Sequence, residues 1–245
     1  MQPRRGYWAI TMTWLWGTCF SWLCAAAVAA PVSGTVRLTD SQNPVVRKHG
    51  DYSGVVVWLE PTAPTGAALS RPVTHARMEQ RGKEFVPHVL AIPAGSAVDF
   101  PNLDPIFHNA FSEFAGQVFD LGLYPRGGSR SITFARTGIV RVFCNIHPAM
   151  SAVIAVMKYP WFAVSGASGA FRIPDVPPGE YLLHVYHERA AEQVLRTLDR
   201  KVVVPPGGLT LEPIPISETG YLETPHKNKY GQDYAPVVDD ELYKR

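Results

Sequence analysis

Apolar and polar positions alternate in short runs along most of the chain, which is the pattern of half-buried strands. Residues 32–38 (VSGTVRL) read as one strand. Residues 54–59 (GVVVWL) read as another, apolar throughout and therefore buried. Further strands are expected over 85–92, 97–100, 131–134, 139–144 and 152–157. Turn residues separate them at Pro93-Ala94-Gly95, at Pro125 to Gly128 and at Thr137-Gly138, and 61–72, with three prolines, read as a loop. Beyond Tyr159-Pro160, residues 162–164 and 171–173 flank a Gly-rich SGASG turn and predict a hairpin. Strands follow over 181–186, 201–204 and 209–216. From about Ser217 the chain is polar and aperiodic, which predicts an extended or loosely docked tail. Short strands at this spacing predict an all-β chain: a Greek-key barrel or sandwich, then a small β-sandwich module.

The N-terminus departs from this pattern. Arg4 and Arg5 precede an uncharged apolar run from Trp8 to Ala30 that thins into Ala25-Ala26-Ala27-Val28-Ala29. That is the layout of an export signal, with cleavage expected after Ala29. An uncleaved anchor is the alternative, since the run is long enough to span a bilayer. The expected division is a signal over 1–29, a first β unit over 30–158, a second over 159–216 and the tail over 217–245. The expected compartment is a bacterial periplasm, with no stable membrane insertion once the signal is removed.

The signal changes two readings. The chain has 245 residues with 23 Lys and Arg against 21 Asp and Glu, and removing Arg4 and Arg5 leaves 21 of each. A near-neutral chain without a basic run is a poor partner for nucleic acid. Two of the three cysteines, Cys19 and Cys24, also leave with the signal, so Cys144 is alone. A single thiol in an oxidising compartment cannot close an internal disulfide, and a metal would occupy it.

Cys144 opens the segment Cys144-Asn145-Ile146-His147-Pro148-Ala149-Met150, directly after a strand. A thiolate, an imidazole and a thioether within one tight loop form three parts of a blue-copper ligand set, whose remaining ligand is a second His. His108, in the loop Phe107-His108-Asn109-Ala110-Phe111, is the expected supplier. Soft sulfur donors suit copper. Zinc fits less well, because a thioether is a poor zinc ligand. Phe107, Phe111, Phe143 and Ile146 are expected to surround the site and lower its dielectric.

These two motifs resemble those of the cupredoxin family, and the C-x-x-H-x-x-M loop resembles the amicyanin loop in particular. The resemblance covers roughly residues 85–159. It implies His108, Cys144 and His147 as equatorial copper ligands, Met150 as the axial one, and Asn109 as the residue tying the two ligand loops together. It also implies one-electron transfer between periplasmic redox partner proteins, with His147 at the exit. Residues 169–186 resemble a carboxypeptidase regulatory-like, transthyretin-like sandwich, and the whole chain resembles exported methylamine utilization proteins.

Several residues remain. His75, Met78, Gln80 and His88 form a second polar and sulfur-bearing group, with Met78 and His88 a candidate second copper site. That site would favour copper delivery or tolerance over electron transfer. His184 and His187 are three apart on a strand and face opposite ways. His49 and His226 are expected to be solvated, and Trp58 to lie in a core or interface. No G-x-S-x-G, H-E-x-x-H or paired-carboxylate arrangement suggests an enzyme.

Overall fold

The structure, a computed structural model, describes residues 29–63, 72–113, 117–221 and 226–234. Residues 1–28 of the expected export signal lie outside the described residues. Among those described, no helix is long and apolar enough to cross a membrane.

The chain opens with β1 (Ala30–Thr39), a short helix α1 (Pro44–His49) and β2 (Val56–Pro61). Asn43 caps α1 by accepting the Val45 N–H, and Pro44 occupies the first turn, where its missing N–H costs nothing. Ten strands follow: β3 (His75–Arg77), β4 (Glu79–Arg81), β5 (Glu84–Val86), β6 (Val89–Pro93), β7 (Ser96–Pro101), β8 (Phe111–Ser112), β9 (Phe119–Asp120), β10 (Ser129–Phe134), β11 (Gly138–Phe143) and β12 (Ser151–Met157). The chain then adds β13 (Phe162–Val164), β14 (Ala170–Val176), β15 (Gly179–Tyr186), helix α2 (Glu192–Leu198), β16 (Arg200–Val204), β17 (Leu209–Thr210) and β18 (Ile214–Ser217). The architecture is all-β as expected, but among the described residues the sheets stay open and none closes into a barrel.

The strand pairings do not follow the division expected at residue 158. β1 pairs with β14, β17 and β18, and β2 lies between β13 and β15. The first two strands therefore complete the sheets of the C-terminal sandwich, and β3 to β12 form the metal-loop unit between them. The expected hairpin over 162–173 is also corrected. β13 and β14 pair with β2 and β1, so the SGASG segment crosses from one sheet to the other. The strand expected over 85–92 is two strands, divided at Pro87-His88, because proline has no N–H to give a ladder. The strand expected over 209–216 is likewise interrupted before Ile214.

Two cores result. Val32, Val36, Val57, Leu59, Phe171, Ile173 and Leu183 fill the sandwich, and Met78, Phe85, Phe100, Phe134, Val142 and Ile154 fill the other unit. A third cluster of Val56, Ala155, Met157 and Phe162 lies between them, with Trp58 and Ile139 against it. This seam explains why 54–59 and 152–157 are apolar at successive positions. Val57 and Leu59 face the sandwich core and Val56 the seam, while Ile154 and Val156 face the other core and Ala155 the seam. A strand covered on both faces loses its polar alternation. The sheet that carries the metal loop has the order β6-β12-β11-β8-β9.

Candidate metal centre

Cys144 follows the last residue of β11, and Met150 precedes the first residue of β12. The antiparallel pair closes across the loop: Cys144 N–H donates to the Met150 carbonyl at 3.0 Å, and Met150 N–H to the His147 carbonyl at 3.1 Å. These bonds fold residues 145–149 back over the strand ends. His108 enters from the neighbouring chain segment. Its backbone exchanges two hydrogen bonds with Tyr124, and Phe111 three residues on pairs with Phe143.

Three ligand atoms converge at this point. His108 Nδ1 lies 3.8 Å from Cys144 Sγ, and His147 Nδ1 lies 3.5 Å from the same sulfur. All three atoms fall within 4.8 Å of one another, the one such grouping among the described residues. A first-row metal with bonds of about 2.0 Å to nitrogen and about 2.3 Å to thiolate needs those atoms about 3.5–3.7 Å apart. The spacing fits. Met150 is buried in the same apolar cluster as Cys144.

The protonation pattern follows from the surroundings. His108 Nε2 lies 2.7 Å from Asp104 Oδ2, and a carboxylate only accepts, so Nε2 carries the proton and Nδ1 presents its lone pair toward Cys144. Burial pulls the His108 pKa down, and Asp104 opposes that only in part, so the ring is neutral and able to ligate. Burial pushes the Cys144 thiol up, although the backbone N–H groups of Ile146, Asn109 and His147 favour the thiolate. Metal binding at this sulfur therefore releases a proton.

Asp104 is a residue that sequence reasoning missed. Its two oxygens also accept the Gly82 and Lys83 N–H groups at 2.7 and 2.9 Å, which ties the β4–β5 turn to the His108 ring. The Gly82 and Lys83 N–H groups and His108 Nε2–H all donate to that carboxylate. An amide at this position would aim its own N–H₂ at one of them. Asp104→Asn should weaken metal binding at this site by roughly 10–100-fold, the usual cost of losing a group that orients a ligand. A chelator competition titration reads this directly, and unchanged affinity would show that the carboxylate does not set the ring.

Asn109 Oδ1 accepts the Asn145 N–H at 3.1 Å, and its Nδ2 donates to Asp120 Oδ1 at 2.7 Å. The two ligand loops are thus bridged beside the ligands. The apolar surround differs from expectation. Phe111 and Phe143 are buried, whereas Phe107 is 55% exposed and Ile146 40%. The latter two therefore form an outer rim and do not shield the ligands. Residues 226–234 of the tail lie against this loop, and His226, expected to be solvated, is half-buried with its ring tilted against Phe143, centroids 4.2 Å apart.

Met78 and His88, the candidate second site, lie in different surroundings. Met78 is sealed in the core at 0% exposure, while His88 lies at the surface 2.6 Å from Glu188 Oε1. Gln80 is also buried and bonds to Tyr124, and His75 is exposed beside Asp99. His184 stacks on Trp58 and pairs with Asp199, and the adjoining His187 pairs with Glu218.

No family model and no curated protein matches the chain. Among solved structures it is similar to a purple cupredoxin from Nitrosopumilus maritimus, 23% identical over 34% of this chain and 99% of that one, with a TM-score of 0.31. It is also similar to a copper-containing nitrite reductase from Thermus scotoductus, 24% identical over 50% of this chain and 28% of the reductase, with a TM-score of 0.33. An amicyanin variant in its Cu(I) form matches at 15% identity over 41% of this chain and 98% of that one, with a TM-score of 0.32.

Proposed function

We propose that this chain is an exported type 1 copper protein that carries single electrons between periplasmic redox partners, with His108, Cys144, His147 and Met150 as its copper ligands. The observation behind this reading is the convergence of two imidazole nitrogens and one thiol on a single buried point. Copper held by such ligands supplies a one-electron couple. The residues supply the rest. Asp104 fixes the His108 ring, the bonds from Asn109 and Met150 hold the ligand loops, and Phe111, Phe143 and Met150 exclude water. Groups fixed in this way move little when the charge at the site changes.

His147 is the least buried of the four side chains and the natural exit for an electron. Phe107 and Ile146 make the rim beside it apolar, a surface suited to a brief encounter with a partner. Copper delivery is the weaker reading, because Met78 is sealed in the core and His88 is paired with Glu188. Equilibrium dialysis of the full chain against Cu(II), followed by metal analysis, should give one copper per chain. Two or more tightly held coppers would favour delivery, and none would overturn the reading.

A further inference from the structure

The C-terminal segment 226–234 is built into the bridge between the two ligand loops. Lys229 donates its backbone N–H to Asn145 Oδ1 at 2.9 Å and its ammonium to Asp120 Oδ2 at 2.7 Å. Asp120 accepts from Asn109, and Asn109 accepts from Asn145. These four residues, from four separate stretches of chain, close a ring of hydrogen bonds. Two of its members, Asn109 and Asn145, are the immediate neighbours of His108 and Cys144.

A second anchor lies on the sulfur ligand's own backbone. Tyr234 donates its hydroxyl to the Cys144 carbonyl at 2.7 Å, and the same oxygen lies 3.0 Å from His226 Nδ1. His226 Nδ1 also lies 3.1 Å from the Lys227 carbonyl, which only accepts, so Nδ1 carries a proton and can donate to Tyr234. The segment is pre-shaped for this task. Asn228 Oδ1 accepts the Tyr230 and Gln232 N–H groups at 2.9 and 3.0 Å, and Gly231 takes the positive φ of 72° that the turn requires. Lys229 and Tyr234 therefore reach the loop from the two sides of one turn.

We propose that Lys229 and Tyr234 are positioning residues for the metal loop, and that segment 226–234 is a latch that slows opening of the loop around Cys144. The importance of the latch for copper rests on the function proposed above, but its effect on the loop does not. In the metal-free full chain, alkylation of Cys144 by iodoacetamide, followed at that residue by peptide mass spectrometry, reports loop opening directly.

Tyr234→Phe keeps the ring on His226 and removes only the hydroxyl. Lys229→Met removes only the ammonium. Each should speed Cys144 alkylation, and the release of copper to a chelator from the loaded chain, by roughly tenfold, the lower end of what such supporting groups contribute. Lys229→Arg should restore the slow rates. Gln232→Ala, which keeps the backbone groups that the turn uses and changes only an exposed side chain in the same segment, should leave them unchanged. Wild-type rates in both Tyr234→Phe and Lys229→Met would overturn the latch. If the wild-type chain binds no copper while both variants still speed alkylation, the latch stands and the copper reading falls. If neither copper binding nor faster alkylation is seen, both fall.

Discussion

Cys144→Ser should lower copper affinity by more than about 100-fold, beyond the 10–100-fold typical of a lost orienting group, because it removes the one thiolate of the set. A serine hydroxyl stays protonated at neutral pH and is a poor partner for a soft metal. The fold should survive. The new oxygen can still accept from the backbone N–H groups of Ile146, Asn109 and His147 that face the sulfur. The backbone bonds of residue 144 to Met150 and Tyr234 are untouched. Chelator competition on the variant, beside thermal unfolding of both metal-free chains, separates the two effects. Wild-type affinity in Cys144→Ser would remove the sulfur from the site.

The second large effect is expected outside the ligand set, at Glu218. Glu218, 5% exposed, gathers Ser41 Oγ at 2.6 Å, His187 Nε2 at 2.9 Å and Arg189 Nε at 3.1 Å. It joins the N-terminal strand region to the end of β18. Glu218→Ala would leave Arg189, Ser41 and His187 around an empty space, and breaking a buried pair from one side costs about 3–5 kcal/mol. Burial pulls this carboxyl up, but the bonds from His187 and Ser41 and the charge of Arg189 outweigh it and hold its pKa below the ordinary 4.5. A depressed folded value contributes stability above the unfolded value and loses it as pH falls through the folded one. Denaturant unfolding should therefore show the full wild-type advantage at neutral pH, shrinking once the pH drops below about 4.5. A difference under about 1 kcal/mol at pH 7 would show that the cluster is not a buried pair in the energetic sense.

Sequence makes some of this legible and hides the rest for physical reasons. Cys144, His147 and Met150 stand out because three unlike donors share one short loop, and His108 because it ends a strand region beside Asn109. Strand content is legible too, since alternation is a local property. Pairing is not. Nothing within residues 32–38 says that they will join β14 and not β7, because ladders form between segments far apart in the chain. Asp104 is hidden for the same reason. It is one acid in a turn, and its role comes from Gly82, Lys83 and His108 meeting it in space. Lys229, Tyr234 and Glu218 lie in a stretch with no periodicity, so a tail that binds looks like a tail that does not. The helices α1 and α2 have 6 and 7 residues, too few to show a period.

The central claim is a copper site that passes one electron, and the visible spectrum of the Cu(II)-loaded full chain during stepwise reduction tests it most directly. Thiolate bound to Cu(II) in this setting should give an intense visible band that bleaches with one electron per chain and returns on reoxidation. A chain that binds copper with no such band, or that does not recover it, would contradict the account.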